Sequence, residues 1–330
     1  MTPRLTVHIG AIKTGSSAIQ EFLRDNREEL HRAGIVIPDE HLTLTEVVTG
    51  GQVRYFDERQ HLTMSEGGHE LAARIDSLLG PEDARQVIVS AENLSEGDNA
   101  TEATEWFTDV VDKYNTKVIV YLRRQDEVLL SAWRQWEAKI EPDLWSWLLR
   151  RIGALGNWQI LLERWERVVG RDRLCVRLYE AGRLVSGDVV ADFERVVGTE
   201  DITLVRNPGS VVNPSFAESV VDLIPGGGFF EGVNDYEFYN FISETLGDAY
   251  YRRRGESAIT FEQRLAILER YAPSNAWVRE TYFGGTNVPD NLFEMPRPGD
   301  YTVRSLDELR REQIQLVARL VFEVGRRYPR

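Results

Sequence analysis

At 330 residues with 42% hydrophobic side chains, the chain has enough apolar material for one large α/β domain or two smaller ones. A formal net charge of −14 speaks against a general nucleic-acid binder, whose nonspecific affinity comes from neutralising phosphates, and the same field disfavours a polyanionic acceptor. No apolar run is long enough to span a bilayer and no signal-like stretch opens the chain, so it reads as cytoplasmic with no membrane span, while a single Cys175 excludes an internal disulfide framework or a multi-cysteine metal site.

Arg4 to Ile9 predicts a first strand apolar enough for the middle of a parallel sheet. It runs into Gly10-Ala-Ile-Lys13-Thr14-Gly15-Ser16-Ser17. A helix is expected from Ser16 or Ser17, with Ser17 and Gln20 as a capping box and Ile19, Phe22, Leu23 and Leu30 as its buried side. Glycines at a strand-to-helix turn let the backbone approach an anion while the first amides of the helix point at it.

The register of the lysine separates two chemistries. A triphosphate-binding loop places its lysine directly after the second glycine, followed by a hydroxyl residue that holds Mg²⁺. Here Ser16 and Ser17 occupy those places, and Lys13 sits inside the loop. A cation there can face the bond between a bound 5′-phosphate and the group leaving it, which suits sulfuryl transfer better than γ-phosphoryl transfer.

Gly34 to Pro38 predicts a short second strand. Residues 39–67 are polar and weakly patterned; they contain His41, Asp57, Glu58 and His61 and are expected to form a functional loop over an acceptor site. A helix over 68–79, a third strand Gln86 to Glu92 and a helix across about 101–114 lead to a fourth strand, Lys117 to Leu122, which delivers Arg123. A helix opened by Gln125 or Asp126 carries Leu129, Trp133 and Trp136 as a buried stripe. A helix over 157–169 then precedes a fifth strand, Leu174 to Tyr179. This cadence predicts an α/β fold with a parallel, doubly wound sheet flanked by helices.

Beyond about residue 200, Pro- and Gly-rich pieces separate helical runs near 214–224, 235–252, 261–271 and 275–283, with no further strand. The last helix is expected at Ser305, whose box with Glu308 precedes the stripe Leu309, Ile314, Val317, Leu320, Val321 and Val324. The expected organisation is a core over 1–200 and a C-terminal helical extension over 201–330 packed on it, or a single domain over 1–330.

The stretch HIGAIKTGSSAIQ resembles the 5′-phosphosulfate loop of bacterial-type sulfotransferases that use 3′-phosphoadenosine 5′-phosphosulfate (PAPS), and Tyr121-Leu-Arg-Arg-Gln-Asp-Glu-Val-Leu-Leu-Ser131 resembles their 3′-phosphate motif. The resemblance covers roughly residues 4–140. It implies a P-loop-like nucleotide-binding core and a transferase that moves a sulfuryl group from PAPS, leaving 3′-phosphoadenosine 5′-phosphate (PAP). The acceptor would be a hydroxyl, less readily an amine, of a saccharide or small molecule. By resemblance Lys13 stabilises charge on the leaving bisphosphate, and Thr14, Gly15, Ser16 and Ser17 donate to the 5′-phosphate and sulfonate. Arg123 and Ser131 hold the 3′-phosphate, with Arg124 as the competing arginine, and no metal is required.

Glu92, at the carboxyl end of the third strand where open α/β sheets place their ligands, is the first choice of general base. Asp57, Glu58, His41 and His61 are the alternatives. Trp145 and Trp147 could stack on an acceptor, Asn275 and Arg279 could line the site, and His8 reads as structural. Two other readings stay open: a P-loop kinase or NTPase with Glu92 as a Walker-B-like acid, and a non-catalytic nucleotide- or glycan-binding module.

Overall fold

The computed structural model describes residues 2–38, 68–80, 84–95, 104–140, 143–206, 216–223, 228, 230–232, 235–251, 253, 255–284 and 290–327. In chain order the elements are β1 Arg4–Ile9, α1 Ser16–Asp25, α2 Arg27–Arg32, β2 Ile35–Val36, α3 Gly68–Leu78, β3 Gln86–Ala91, β4 Asn115–Leu122, α4 Gln125–Gln135, α5 Leu144–Arg151 and α6 Trp158–Val169. They continue with β5 Leu174–Leu178, α7 Val189–Val197, α8 Glu218–Val221, α9 Glu237–Leu246, β6 Glu256–Ser257, α10 Phe261–Phe283, β7 Thr302–Val303 and α11 Leu306–Arg327. Two compact units result: Met1–Arg123 with Asn157–Val212 and Trp277–Phe293, and Arg124–Gly156 with Asn213–Ala276 and Glu294–Arg330. No helix among the described residues is long and apolar enough to cross a membrane.

The first unit is an α/β structure around a five-stranded parallel sheet of order β2-β3-β1-β4-β5. Every residue of β3, and every residue of β1 after Arg4, is buried. Because side chains alternate between faces, such strands must be covered on both sides. On one face Ile88, Ile119 and Tyr121 meet Ile19, Phe22 and Leu23 of α1 and Val189, Phe193 and Val197 of α7. Into that face project His8, whose Nδ1 lies 2.8 Å from Ser90 Oγ, and Tyr121, whose hydroxyl donates to Asp192 at 3.0 Å. Asp192 also takes the Arg177 guanidinium, through Nε at 2.9 Å and through Nη2, which ties α7 to β5.

Three local expectations are corrected in this unit. Gly15, in the left-handed region at φ 83°, caps α1 and makes Ser16 already helical, so Ser17 cannot form the expected box. Gln20 turns instead toward the Ser90 carbonyl, 3.5 Å away. Leu30 belongs to α2, because the chain breaks at Asn26, whose side chain donates to the carbonyls of Phe22 at 2.9 Å and Val205 at 2.8 Å. Residues 104–114 form no long helix; a 3₁₀ turn over Trp106–Asp109 buries Trp106 and Phe107, whose bulk favours packing over helical repetition.

The second unit is mostly helical. Two expectations change here as well: β6 and β7 pair as a short parallel ladder where no strand was expected, and α10 runs unbroken through Pro273. Its buried stripe of Arg264, Ile267, Leu268, Tyr271, Ser274 and Val278 continues on both sides of the proline, so packing outweighs the lost N–H. The box at the start of α11 forms as expected, with Ser305 N–H donating to Glu308 Oε2 at 2.9 Å and Glu308 N–H to Ser305 Oγ at 3.3 Å. Its stripe is rotated from expectation: Leu316 is buried, while Ile314, Val317 and Val321 are exposed. The centre of the unit is Arg264, fully buried, which pairs with Asp126, with Glu127 at 2.8 Å and with Ser257 Oγ at 2.8 Å, and stacks 3.6 Å from the Tyr301 ring.

His8 gives the first unit a definable acid sensitivity. Burial holds its imidazole near a pKa of about 3 against an ordinary 6.5. The unfolded chain therefore binds a proton that the folded one refuses between those values, and the stability contributed above pH 6.5 is lost as pH falls toward 3, at about 1.4 kcal/mol per unit. Urea unfolding at pH 6 and pH 4 is expected to take up about one proton more in the wild type than in His8→Asn. Equal pH slopes for the two proteins would remove this assignment.

Candidate functional site

The site is built where β1 ends at the middle of the sheet. Gly10 N–H donates to the Ala91 carbonyl at 3.2 Å, continuing the ladder by one residue, and its own carbonyl accepts from Ser95 Oγ at 3.1 Å. A Cβ on Gly10 would sit 2.7 Å from Ser16 Oγ and 3.1 Å from Glu92 Cγ, so the lack of a side chain there is required by close approach on two sides. Lys13 at φ 61° and Gly15 at φ 83° are both left-handed and reverse the chain into α1. At Gly15 the crowding is also steric: a Cβ would meet Val189 Cγ1 at 2.8 Å and Tyr179 Cε2 at 3.1 Å.

Within the loop, Thr14 is fully buried and its hydroxyl donates to the Ala11 carbonyl at 2.7 Å, so that hydroxyl braces the turn. Ser16 is buried with its hydroxyl 3.5 Å from the same carbonyl, and Ser17 is half-buried in the first turn of α1. The first bonds of α1 run from the N–H groups of Ala18 and Ile19 to the Gly15 carbonyl at 3.0 and 3.2 Å, so the Ser16 and Ser17 amides precede the helical ladder, the usual donor set for an anion at a helix start.

Three charged groups converge on this turn. Arg123, directly after β4, donates from Nη1 to the Lys13 carbonyl at 2.8 Å and lies 5.5 Å from the Tyr179 ring. Its own carbonyl accepts from Trp158 Nε1 at 2.9 Å, which fixes the backbone at that strand end. Glu92 opens a 3₁₀ turn immediately after β3 and is half-buried. Burial, and next the Arg123 charge, pull the Lys13 ammonium down to about 8, while Glu92 pulls it back up. An ammonium that is still charged at neutral pH, beside a guanidinium and a carboxylate, can bind an anion, donate to an oxygen that gains charge, or exchange a proton nearby.

Of the residues singled out from sequence, Lys13, Thr14, Gly15, Ser16, Ser17, Glu92 and Arg123 all lie in the first unit around this turn. Ser131 is half-buried on α4, in the second unit. His41, Asp57, Glu58 and His61 lie outside the described residues. Trp147 is buried in the core of the second unit, whereas Trp145 stays 43% exposed. Asn275 exchanges amide hydrogen bonds with Gln125 at 2.6 and 3.1 Å, and Arg279 donates to the Asp290 carbonyl at 2.8 Å. Two neighbours of the turn went unnoticed in the sequence, Tyr179 and Ser95. Tyr179 could have been suspected from its place at the carboxyl end of the fifth strand.

No protein-family model matches the chain. An uncharacterized protein of Archaeoglobus fulgidus is 26% identical over 206 residues, which is 61% of this chain; the chain spans about half, 54%, of the length of that relative. A crystal structure of a sulfotransferase from Alicyclobacillus acidocaldarius is 18% identical, with a TM-score of 0.34 over 63% of this chain and 87% of that one. At that TM-score the functional reading rests on the residues themselves.

The three-charge arrangement has a spectroscopic consequence, because Lys13, Lys113, Lys117 and Lys139 are the only lysines in the chain and their signals can be resolved. In ¹³C-lysine NMR the Lys13 ε-carbon is expected to titrate with a midpoint near 8. Glu92→Gln should move that midpoint down and Arg123→Met should move it up, since each removes one of the two opposing charges. An unchanged midpoint in both variants would separate the three groups.

Proposed function

We propose that the chain is a sulfotransferase that uses PAPS and transfers its sulfuryl group to a hydroxyl of a saccharide or small molecule. The observation that carries this reading is the register of the loop cation. The position after the second glycine is a buried serine, and the one ammonium in the loop, Lys13, lies beside Arg123 and Glu92. The same feature weighs against a triphosphate-hydrolysing loop, which needs its lysine at that position.

The residues fit the donor on three counts. A backbone without Cβ at Gly10 and Gly15 leaves main-chain atoms to approach a phosphate, and the first amides of α1 supply neutral donors. Arg123 donates to the Lys13 carbonyl at the rim of the turn, and its guanidinium would recognise the second phosphate of a 3′,5′-bisphosphate. By resemblance Ser131 would add a hydroxyl donor to that phosphate. PAPS, when bound, supplies an activated sulfuryl group on a 5′-phosphate.

Lys13 would act on the developing charge of the leaving phosphate oxygen, as a preorganised donor. Its left-handed backbone and the Arg123 bond to its carbonyl hold the stem of the side chain. Glu92, at the carboxyl end of β3, would accept the proton from the attacking hydroxyl.

Calorimetric titration with PAP tests the nucleotide side of this reading. PAP is expected to bind and to raise the thermal midpoint, because a ligand of the native state alone must stabilise it. Arg123→Met should weaken PAP about 10- to 100-fold and leave 5′-AMP nearly unchanged, the loss of one charge-assisted phosphate contact. Equal stabilisation by ATP-Mg²⁺ and PAP would overturn the assignment.

A further inference from the structure

The second unit contains a cluster that the proposed reaction does not use. Lys139 ends a 3₁₀ turn over Glu137–Lys139, just beyond α4, and is only 8% exposed. Its ammonium lies 3.5 Å from the centroid of the Tyr236 ring, 5.4 Å from that of Phe230 and 5.5 Å from that of Tyr239. A buried lysine ammonium ordinarily demands a carboxylate, whereas aromatic faces offer it a negative quadrupole on several sides.

The rings are held in place. Tyr239 stacks on Phe216 with centroids 4.4 Å apart and planes at 10°, and its hydroxyl donates to the Arg134 carbonyl at 3.1 Å. Gln135 Nε2 reaches the Tyr236 hydroxyl at 3.4 Å, and Phe230 leans on Tyr239 at 5.3 Å. Asp235 attracts the ammonium from the edge, and its own carboxylate is fixed by the backbone N–H groups of Glu231 at 3.0 Å and Glu237 at 2.9 Å. Arginine dominates among the 39 lysine and arginine residues of this chain, yet this position holds one of only four lysines. A planar guanidinium stacks on one face, while a compact ammonium can be surrounded.

We propose that Phe230, Tyr236 and Tyr239, with Asp235 at the edge, form a recognition cage for an alkylammonium group. Lys139 occupies it from the same chain and so latches Phe230 and the start of α9 onto the end of α4. The cage selects for positive charge, so a free alkylammonium of similar size enters it when the Lys139 side chain is removed. Burial lowers the Lys139 amine to about 8, with Asp235 opposing, so the side chain is still an ammonium at neutral pH. Other charged groups at this place, Arg134 and Glu218, form a buried pair with each other behind Tyr239.

The test compares choline with its neutral isostere 3,3-dimethylbutan-1-ol on Lys139→Ala at matched ionic strength. The variant is expected to melt ~3–6 °C below the wild type. Choline should restore at least half of that shift, the isostere should restore little, and adding Tyr236→Leu should abolish the choline effect. Equal rescue by both compounds, or none by choline, would mean an apolar cavity and overturn the cage. If Lys139→Ala fails to fold, Lys139→Met decides: a melting point equal to the wild type would show that the charge is not recognised, and a lower one, with the upfield-shifted Lys139 ε-protons of the wild type lost in Tyr236→Leu, would support it.

Discussion

The structure around the candidate site depends on one constraint, the exit of β1 from the middle of a fully covered sheet. With β3 and β4 paired on either side and both faces buried, the chain can leave only over the carboxyl edge, and it must enter α1 within a few residues so that Ile19, Phe22 and Leu23 reach the core. The turn is made by two left-handed residues, of which only Gly15 is a glycine. Lys13 adopts the disfavoured region at a cost of about 1 kcal/mol, and the bond from Arg123 to its carbonyl offsets it. The residue that bears the strain is also the one that bears the charge, and the same arginine holds both. Strain concentrated at a charged loop residue is what a preorganised site produces.

The electrostatics of the turn run against those of the whole chain. A net charge of −14 repels anions at a distance, yet the turn combines helix-start amides with Lys13 and Arg123 against the carboxylate of Glu92. Long-range repulsion is screened within about 10 Å at moderate salt, whereas contacts in a half-buried turn are screened far less. Short-range recognition can therefore operate on an anionic ligand despite the overall sign, and the field acts as a filter against large polyanions.

How far the fold was legible follows from where its determinants lie. The five strands of the sheet were readable from their apolar content, most clearly β3 and β1 after Arg4, which are buried on both faces, and the position of Lys13 between two glycines is a purely local fact. What failed depended on distant partners. Ser17 looks like a helix cap until Val189 and Tyr179 close on Gly15, more than 160 residues away in the chain, and Pro273 looks like a helix end until the buried stripe from Arg264 to Val278 is seen whole. The stripe of α11 was misjudged in its rotation about the helix axis: Leu316 is buried where Ile314 and Val317 were expected. Of the site, the loop and both strand ends were legible; Tyr179 was passed over although its place at the carboxyl end of the fifth strand was legible, because its approach to Gly15 depends on the fold.

The adjacent arginines show how far sequence can resolve a site. Strand alternation alone says that Arg123 and Arg124 point apart, and it is silent on which one serves a ligand. In the second unit Arg124 is bound to Asp126 at 2.7 and 3.1 Å and to the Glu294 carbonyl at 2.8 Å, and Asp126 is also bound to Arg264. A fully buried carboxylate with two guanidiniums is a demanding arrangement: loss of one partner from such a pair typically costs 3–5 kcal/mol. Arg124 is thus committed to holding the start of α4. In the first unit Arg123 meets the backbone of the loop and the face of Tyr179, contacts that leave its charge beside Lys13. A dipeptide of like residues is divided between architecture and recognition by partners as far away as Arg264, and this division supports reading Arg123 as the phosphate-facing arginine.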